Sequence, residues 1–284
     1  MSVAIACDDR VCTLGEGPFW HPVRAQLFWF DILEHRLHSI DHGEPLWWDM
    51  GECTSCAGWL DRDHLMVVSE TGFYRFSLLD GTRTLIRSLD ADRGDMRSND
   101  GRTDPLGGFW VGTMGKAAEP GAGAIYRLYQ GALRKIHDGL TIPNSICFSP
   151  DGTLVYWADT LQQRILHQKL DRNGWPDGPI DVLVDLSEAG FYPDGSVTDA
   201  SGGLWNAQWG AARVARYTPD GQFDRSIAVG GVHTTCPVFA GPELDQLFVT
   251  TATDGMDAPD AQQGRLFRAE PRKKGHPDPQ LDVL

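Results

Sequence analysis

Arg97 and Asn99 stand two residues apart in the stretch Arg97-Ser98-Asn99-Asp100-Gly101-Arg102-Thr103-Asp104-Pro105-Leu106-Gly107-Gly108. Both side chains make directional hydrogen bonds: Arg through a fixed fork of donors, Asn through an amide that donates and accepts. The segment reads as a turn through Asp100-Gly101 and a second turn at Asp104-Pro105-Leu106-Gly107-Gly108, leading into the aromatic strand Phe109-Trp110-Val111. A purely structural turn uses Asn, Asp or Gly and has no need of the Arg. Three further polar residues sit where Gly or Pro fixes the backbone: Glu16 in Gly15-Glu16-Gly17-Pro18, Asn144 after Pro143, and Asp194 after Pro193. Pro150-Asp151-Gly152 and Pro219-Asp220-Gly221 share the composition around Asp194 and read as plain turns. Asp194 is set apart by the strand-like Ser196-Val197-Thr198-Asp199 that follows it.

The elements that must position these residues come from a repeat. Strands rich in aromatic and aliphatic residues recur at Gln26–Asp31, His64–Ser69, Gly108–Gly112, Leu154–Asp159, Gly203–Ala207 and Gln246–Thr250, each followed by a second strand. The interval is about 40 to 50 residues, the length of one four-stranded propeller blade. Turns of the Pro-Asp-Gly or Ala-Ser-Gly-Gly kind separate them, and long helical periodicity is absent. A sandwich or barrel could use the same strands but would not repeat one aromatic pattern at this interval. The expectation is therefore an all-β, six-bladed β-propeller forming one domain over residues 1–284. Its first strands are expected to pair with the last blade and close the ring. The polar residues above are then expected on loops entering the inner strands, at one mouth of the central channel.

Bulk properties bound the partners. A formal charge of −14, spread along the 284 residues, disfavours nucleic acid and anionic membrane. The N-terminus lacks a basic region and a long apolar stretch, and no run reaches the length of a membrane span, so a cytoplasmic protein is expected. The six cysteines are scattered. Cys53-Thr54-Ser55-Cys56 has zinc or redox spacing, but no second Cys or His pair accompanies it, and reduced thiols are the better reading. The nine histidines read as surface or supporting groups.

With these residues in place the chain resembles the gluconolactonase/regucalcin (senescence marker protein) family. The matching segments are Gly15-Glu16-Gly17-Pro18, Arg97-x-Asn99-Asp100-Gly101, Gly112-Thr113-Met114, Pro143-Asn144-Ser145, Pro193-Asp194-Gly195 and Asp254-Gly255-Met256. The resemblance implies a six-bladed propeller with one divalent metal ion at the channel mouth, held by Glu16, Asn144 and Asp194. It implies that Arg97 and Asn99 bind substrate. Some relatives carry an acidic residue where this chain has Ala117, between Lys116 and Glu119, and the polyol end of the pocket departs from the pattern there.

The implied chemistry is hydrolysis of a sugar lactone, such as glucono-, xylono-, arabinono- or galactonolactone, to the aldonic acid. An oxygen-only ligand set favours calcium, with zinc, manganese, magnesium or ferrous iron as alternatives. The ion would polarise the lactone carbonyl, and water would be activated either by Asp194 or by the ion itself. A serine hydrolase is disfavoured because no Gly-x-Ser-x-Gly elbow is present. Two other readings stay open: a propeller hydrolase of other esters or organophosphates, and a non-catalytic calcium-binding propeller. The partner expected is a small sugar lactone, on a monomer or weak homodimer.

Overall fold

Alternating aromatic and aliphatic residues, broken by Gly-rich turns, produce strands almost throughout. The computed structural model describes residues 2–282 and is all-β; among those residues the single helical element is the 3₁₀ turn Thr160–Gln162. No helix of the described residues is long and apolar enough to cross a membrane. Four antiparallel four-stranded sheets follow one another, opening on Gly15–His21, Thr54–Asp61, Met96–Thr103 and Pro143–Phe148. A nine-stranded sheet holds the rest. Within it, one run of four strands opens on Tyr192–Thr198, and a second runs from His233–Ala240 through Gln246–Ala252 and Phe267–Ala269 to Ile5–Ala6. The two runs meet at a single backbone bridge, Trp209 to His233.

Each unit's first strand packs on the first strand of the next, and His233–Ala240 packs on Gly15–His21, so the inner strands close a ring. The expected closure holds for Ile5–Ala6, which pairs with Phe267–Ala269. Ser2–Val3 departs from it and runs parallel to Phe223–Ala228, the edge of the fifth unit. Both short strands cover edges that would otherwise offer unpaired backbone. The second strands, such as Gln26–Asp31, are buried along their length, whereas edge strands such as Arg83–Ser88 are largely exposed. The core lies between neighbouring sheets, as where Phe28 and Phe30 meet Leu65, Val67 and Phe76. Full burial of each such side chain stabilises the fold by about 1.5–3 kcal/mol.

The inner strands share one irregularity. Register slips by one extra residue between Glu16 and Phe19, Thr54 and Cys56, Ser98 and Gly101, Asn144 and Cys147, Pro193 and Ser196, and Thr234 and Pro237. Each slip is a β-bulge, which bends the strand and re-aims a side chain. This corrects two expectations. Glu16, Asn144 and Asp194 lie within strands rather than on loops, and Asp100-Gly101 is part of the strand Met96–Thr103 rather than a turn. Pro150-Asp151-Gly152 and Pro219-Asp220-Gly221 are turns, as read.

Two units carry the same polar staple. Asp104 accepts the amides of Leu106 and Gly108, the Trp110 indole N–H and Arg127 Nε; Asp199 accepts the amides of Ser201 and Gly203, the Trp205 indole N–H and Arg216 Nε. Gly108 and Gly203 are required here, because a Cβ would stand 2.5 Å from the Asp104 carboxylate or 2.0 Å from the Arg216 guanidinium. The six cysteines are free thiols, and Cys53 lies beside His35 at 3.6 Å. Against expectation His21 and His38 are buried, their rings filling space between strands.

Gly17 tests the bulge. Its φ is +51°, and a Cβ would lie 2.0 Å from the Ser55 carbonyl oxygen. Gly17→Ala is expected to cost about 3 kcal/mol or more, lowering Tm by roughly 5–10 °C. Gly131→Ala, at φ +71° with open space around it, should cost only the backbone term of about 1–2 kcal/mol. Thermal melts of the two variants check this; equal losses would mean that Gly17 has no special place.

Candidate functional site

A cavity of about 470 Å³ opens at one mouth of the ring, and Glu16, Arg97, Asn99, Asn144 and Asp194 all line it. Glu16 comes from the first unit, Arg97 and Asn99 from the third, Asn144 from the fourth and Asp194 from the fifth. Asn99 and Asp194 sit in the bulges of their strands, and Glu16 and Asn144 are the paired residues that immediately precede theirs. The two remaining bulges carry small hydroxyl residues that tie neighbouring strands instead: Ser55 donates to Ser98 Oγ at 2.8 Å, and Thr235 to the Gly15 carbonyl at 2.6 Å.

A relay of hydrogen bonds fixes the polar floor. Arg97 Nη1 donates to Asn99 Oδ1 at 2.8 Å and to the Ser98 carbonyl at 2.9 Å, leaving Nε and Nη2 without partners among the described residues. Asn99 Nδ2 donates to Asn144 Oδ1 at 2.8 Å and to the Pro143 carbonyl at 3.0 Å. Asn144 Nδ2 donates to Thr160 Oγ1 at 2.9 Å, and Thr160 donates onward to the Pro193 carbonyl. The Asn144 amide is thereby oriented with its oxygen toward Asn99 and the cavity. Below Asp194, its own carbonyl accepts from Ser145 Oγ and from Asn206 Nδ2.

The carboxylates are buried, Glu16 and Asp194 each 5% exposed. Burial pushes the Glu16 carboxyl up to about 8, helped by the charge of Asp100; the Gly17 amide, which it accepts at 2.8 Å, opposes the rise. Asp194 is raised well above the carboxylate range by burial and then by Glu16 and Asp100. Glu16 and Asp194 are thus neighbours on the cavity floor. Asp100 itself is pushed up to about 6 by burial and holds the Ile146 amide. Acids packed this tightly call for positive charge beyond Arg97. Two carboxylates and an amide oxygen on one surface suit a hard divalent cation, so Glu16, Asn144 and Asp194 could hold one.

Among the described residues, the group of three His, Cys or acidic ligand atoms within 4.8 Å is a different one, Cys12, Asp31 and His38. These do not line the cavity. The Asp31 carboxylate already accepts the amides of Thr13 and Leu14, and Arg10 lies 3.5 Å from His38.

Sequence reasoning missed several lining residues. Thr160, Leu161, Tyr192 and Trp209 had no motif to mark them. At the end that departs from the family pattern, Ala118 lines the cavity, whereas Ala117 does not. Glu119 folds back onto the Ala117 amide, and Lys116 lines the cavity while pairing with Glu70 at 2.5 Å.

The family described as SMP-30/Gluconolactonase/LRE-like region matches residues 14–253. The chain is 35% identical to the L-arabinolactonase of Azospirillum brasilense, across 94% of this chain and 91% of that enzyme. It is 30% identical to the pentonolactonase XacC of Haloferax volcanii, across 97% of both. A crystal structure of a calcium-binding protein, regucalcin, from Agrobacterium tumefaciens superposes with a TM-score of 0.96 at 37% identity, covering 100% of this chain and 98% of that one.

The buried acids make a testable statement about pH. Glu16 keeps a proton in the fold up to about 8, whereas its ordinary value is 4.5. Between those values the unfolded chain gives up a proton that the fold retains, so stability falls as pH rises through this window. In the presence of a chelator, Glu16→Gln should lose less Tm than wild type between about pH 5 and about pH 8. Added calcium should restore Tm at the upper pH in wild type and much less in the variant. Parallel pH curves for the two proteins would show that Glu16 carries no such burden.

Proposed function

We propose, on the premise that this chain belongs to the SMP-30/gluconolactonase/LRE-like family, that it hydrolyses a sugar lactone to the free aldonic acid. The observation that carries this reading is the convergence of Glu16, Asn144 and Asp194 with Arg97 and Asn99 on one cavity. The names of the arabinolactonase and pentonolactonase relatives support the reaction class. We read the sheets as a six-bladed β-propeller forming one domain over residues 1–284, with the cavity at one end of its axis.

In this reading Glu16, Asn144 and Asp194 hold a divalent ion, calcium by preference, which when bound supplies Lewis-acid polarisation of the lactone carbonyl. The chain's own residues do the rest. Arg97, anchored through one nitrogen on Asn99 and Ser98, turns its remaining donors to the substrate's hydroxyl and carbonyl oxygens. Asn99 keeps Asn144 in register through their amide contact. Ionised Asp194 accepts a proton from the water that attacks the carbonyl carbon. The bond from that carbon to the ring oxygen then breaks, and the proton passes to the departing ring oxygen, giving a hydroxy acid from lactone plus water. Leu14, Met114, Ile142 and Leu161 give the cavity apolar walls against which the substrate packs.

Asp194→Asn keeps the shape and one coordinating oxygen while removing the charge and the basicity. Hydrolysis of a five- or six-carbon aldonolactone, corrected for spontaneous opening, should fall by about 10²-fold or more. Initial rates against metal concentration decide the role: recovery to near the wild-type rate at high metal would reduce Asp194 to a ligand. Arg97→Ala should lower kcat/KM by about 10- to 100-fold, equivalent to roughly 1.5–3 kcal/mol, with metal stoichiometry unchanged. The similarity to a calcium-binding regucalcin favours one second reading, a non-catalytic calcium protein. Calcium binding without any metal-dependent rate on fresh lactones would establish that reading and end ours.

A further inference from the structure

The floor of the cavity is polar, but much of its wall is not, and one wall residue is held in an unusual way. Trp209 ends the strand Leu204–Trp209 and lines the cavity. Its backbone pairs with Tyr192 on one side and, through the bridge that joins the fifth and sixth units, with His233 on the other. The His233 ring stacks on the indole with centroids 4.0 Å apart and 16° between the planes. Trp209 also packs against the core group that includes Leu14 and Ala252. One indole face is thus covered by His233 and the side chain packs on the core, yet it remains half-buried and borders the cavity. Leu14, Ile142, Leu161 and Tyr192 continue an apolar wall around it.

The charged donors stand elsewhere on the rim. Arg97 and Lys116 come from the third unit, Trp209 from the fifth, with the fourth between them. A cyclic polyol has hydroxyl groups around its edge and C–H groups on its faces. An indole face is electron-rich and attracts such weakly positive hydrogens, and a rigid aromatic ring offers this area at little entropic cost. Arg97 and Trp209 thus stand on different units of the rim, the one suited to the hydroxyl edge of such a ring and the other to its C–H face.

We propose that Trp209, braced by His233, is the platform on which the ring of the substrate lies, and so determines specificity for cyclic polyols over open-chain ones. The identity of the ring as a lactone rests on the function proposed above; the platform does not. Trp209 is a binding residue and takes no part in proton transfer.

The test uses 1,5-anhydro-D-glucitol, a cyclic polyol with no carbonyl to hydrolyse, and the full chain in calcium chloride. Saturation-transfer NMR should mark the ring C–H protons in wild type. The dissociation constant should rise about three- to tenfold in Trp209→Ala and in Trp209→Leu, and stay within about twofold in Trp209→Phe. The Leu variant keeps an apolar side chain without a ring face, so it separates stacking from mere filling. On a lactone substrate the Ala and Leu variants should raise KM more than they lower kcat. A folded Trp209→Leu that binds the polyol as tightly as wild type overturns the proposal. So does a folded Trp209→Phe that binds as weakly as Trp209→Ala. Since the polyol has no scissile bond, the expected binding pattern without hydrolysis of any lactone would refute the lactonase reading and leave the platform standing.

Discussion

One extra residue in each inner strand is the constraint from which the rest follows. Inner strands of adjacent sheets in a closed ring do not pair with one another through a ladder, so the bulge leaves backbone groups that must find other partners. Side chains supply them across the gaps: Asn99 to the Pro143 carbonyl, Thr160 to the Pro193 carbonyl, Ser145 to the Asp194 carbonyl and Thr235 to the Gly15 carbonyl. The same residues that satisfy the backbone therefore set the positions of Glu16, Asn144 and Asp194. Structural and chemical duties are carried by one layer of the molecule.

That layer is electrostatically expensive. Glu16, Asp100 and Asp194 are each no more than 5% exposed, and each has its carboxyl raised by burial. Repulsion among them acts against folding at neutral pH, and a sequence selected for stability alone would not place them together. Such clusters persist where a site needs them. The charge of −14 over the whole chain has a different meaning. Exposed acids such as Asp181 and Asp257 contribute to it, and they favour solubility more than stability.

A frame able to hold that cluster must be rigid. Asp104 and Asp199 each collect two amides, an indole and a guanidinium, locking a turn to the two strands that follow it. Burial works against the charge of Asp199, yet its donors hold the carboxyl down at about 2, so the staple stays ionised at physiological pH. At the ring closure Asp31 caps the amides of Thr13 and Leu14, and Leu14 leads directly into Gly15 and Glu16. On the other face of the ring the C-terminal segment crosses from the fifth unit to the second and third, through His276 on Thr198, Asp278 on Arg102 and Leu281 on Trp59. Preorganised geometry of this kind spares the reaction the entropy of assembling its groups.

The amino-acid sequence by itself determined the fold class, the repeat and the identity of the polar residues on the cavity floor. Strand periodicity and turn chemistry are local properties, and Gly-Glu-Gly-Pro, Pro-Asn and Pro-Asp-Gly mark fixed backbone wherever they occur. Local pattern misjudged how the backbone was fixed: Pro193-Asp194-Gly195 and Pro219-Asp220-Gly221 look alike, yet the first is a bulge inside a buried strand and the second a solvent-exposed turn. Asp100-Gly101 misled in the same way, since Asp-Gly signals a turn unless a neighbouring strand pairs across it. Trp209, Leu161 and Tyr192 left no trace at all, because a wall residue needs only bulk and position. Only the tertiary structure decided that Glu16 and Asp194, far apart in the sequence, meet closely enough for each to act on the other's charge. Their pKa values, and the call for a cation, arise from mutual distance and burial, and neither quantity exists until the ring has closed.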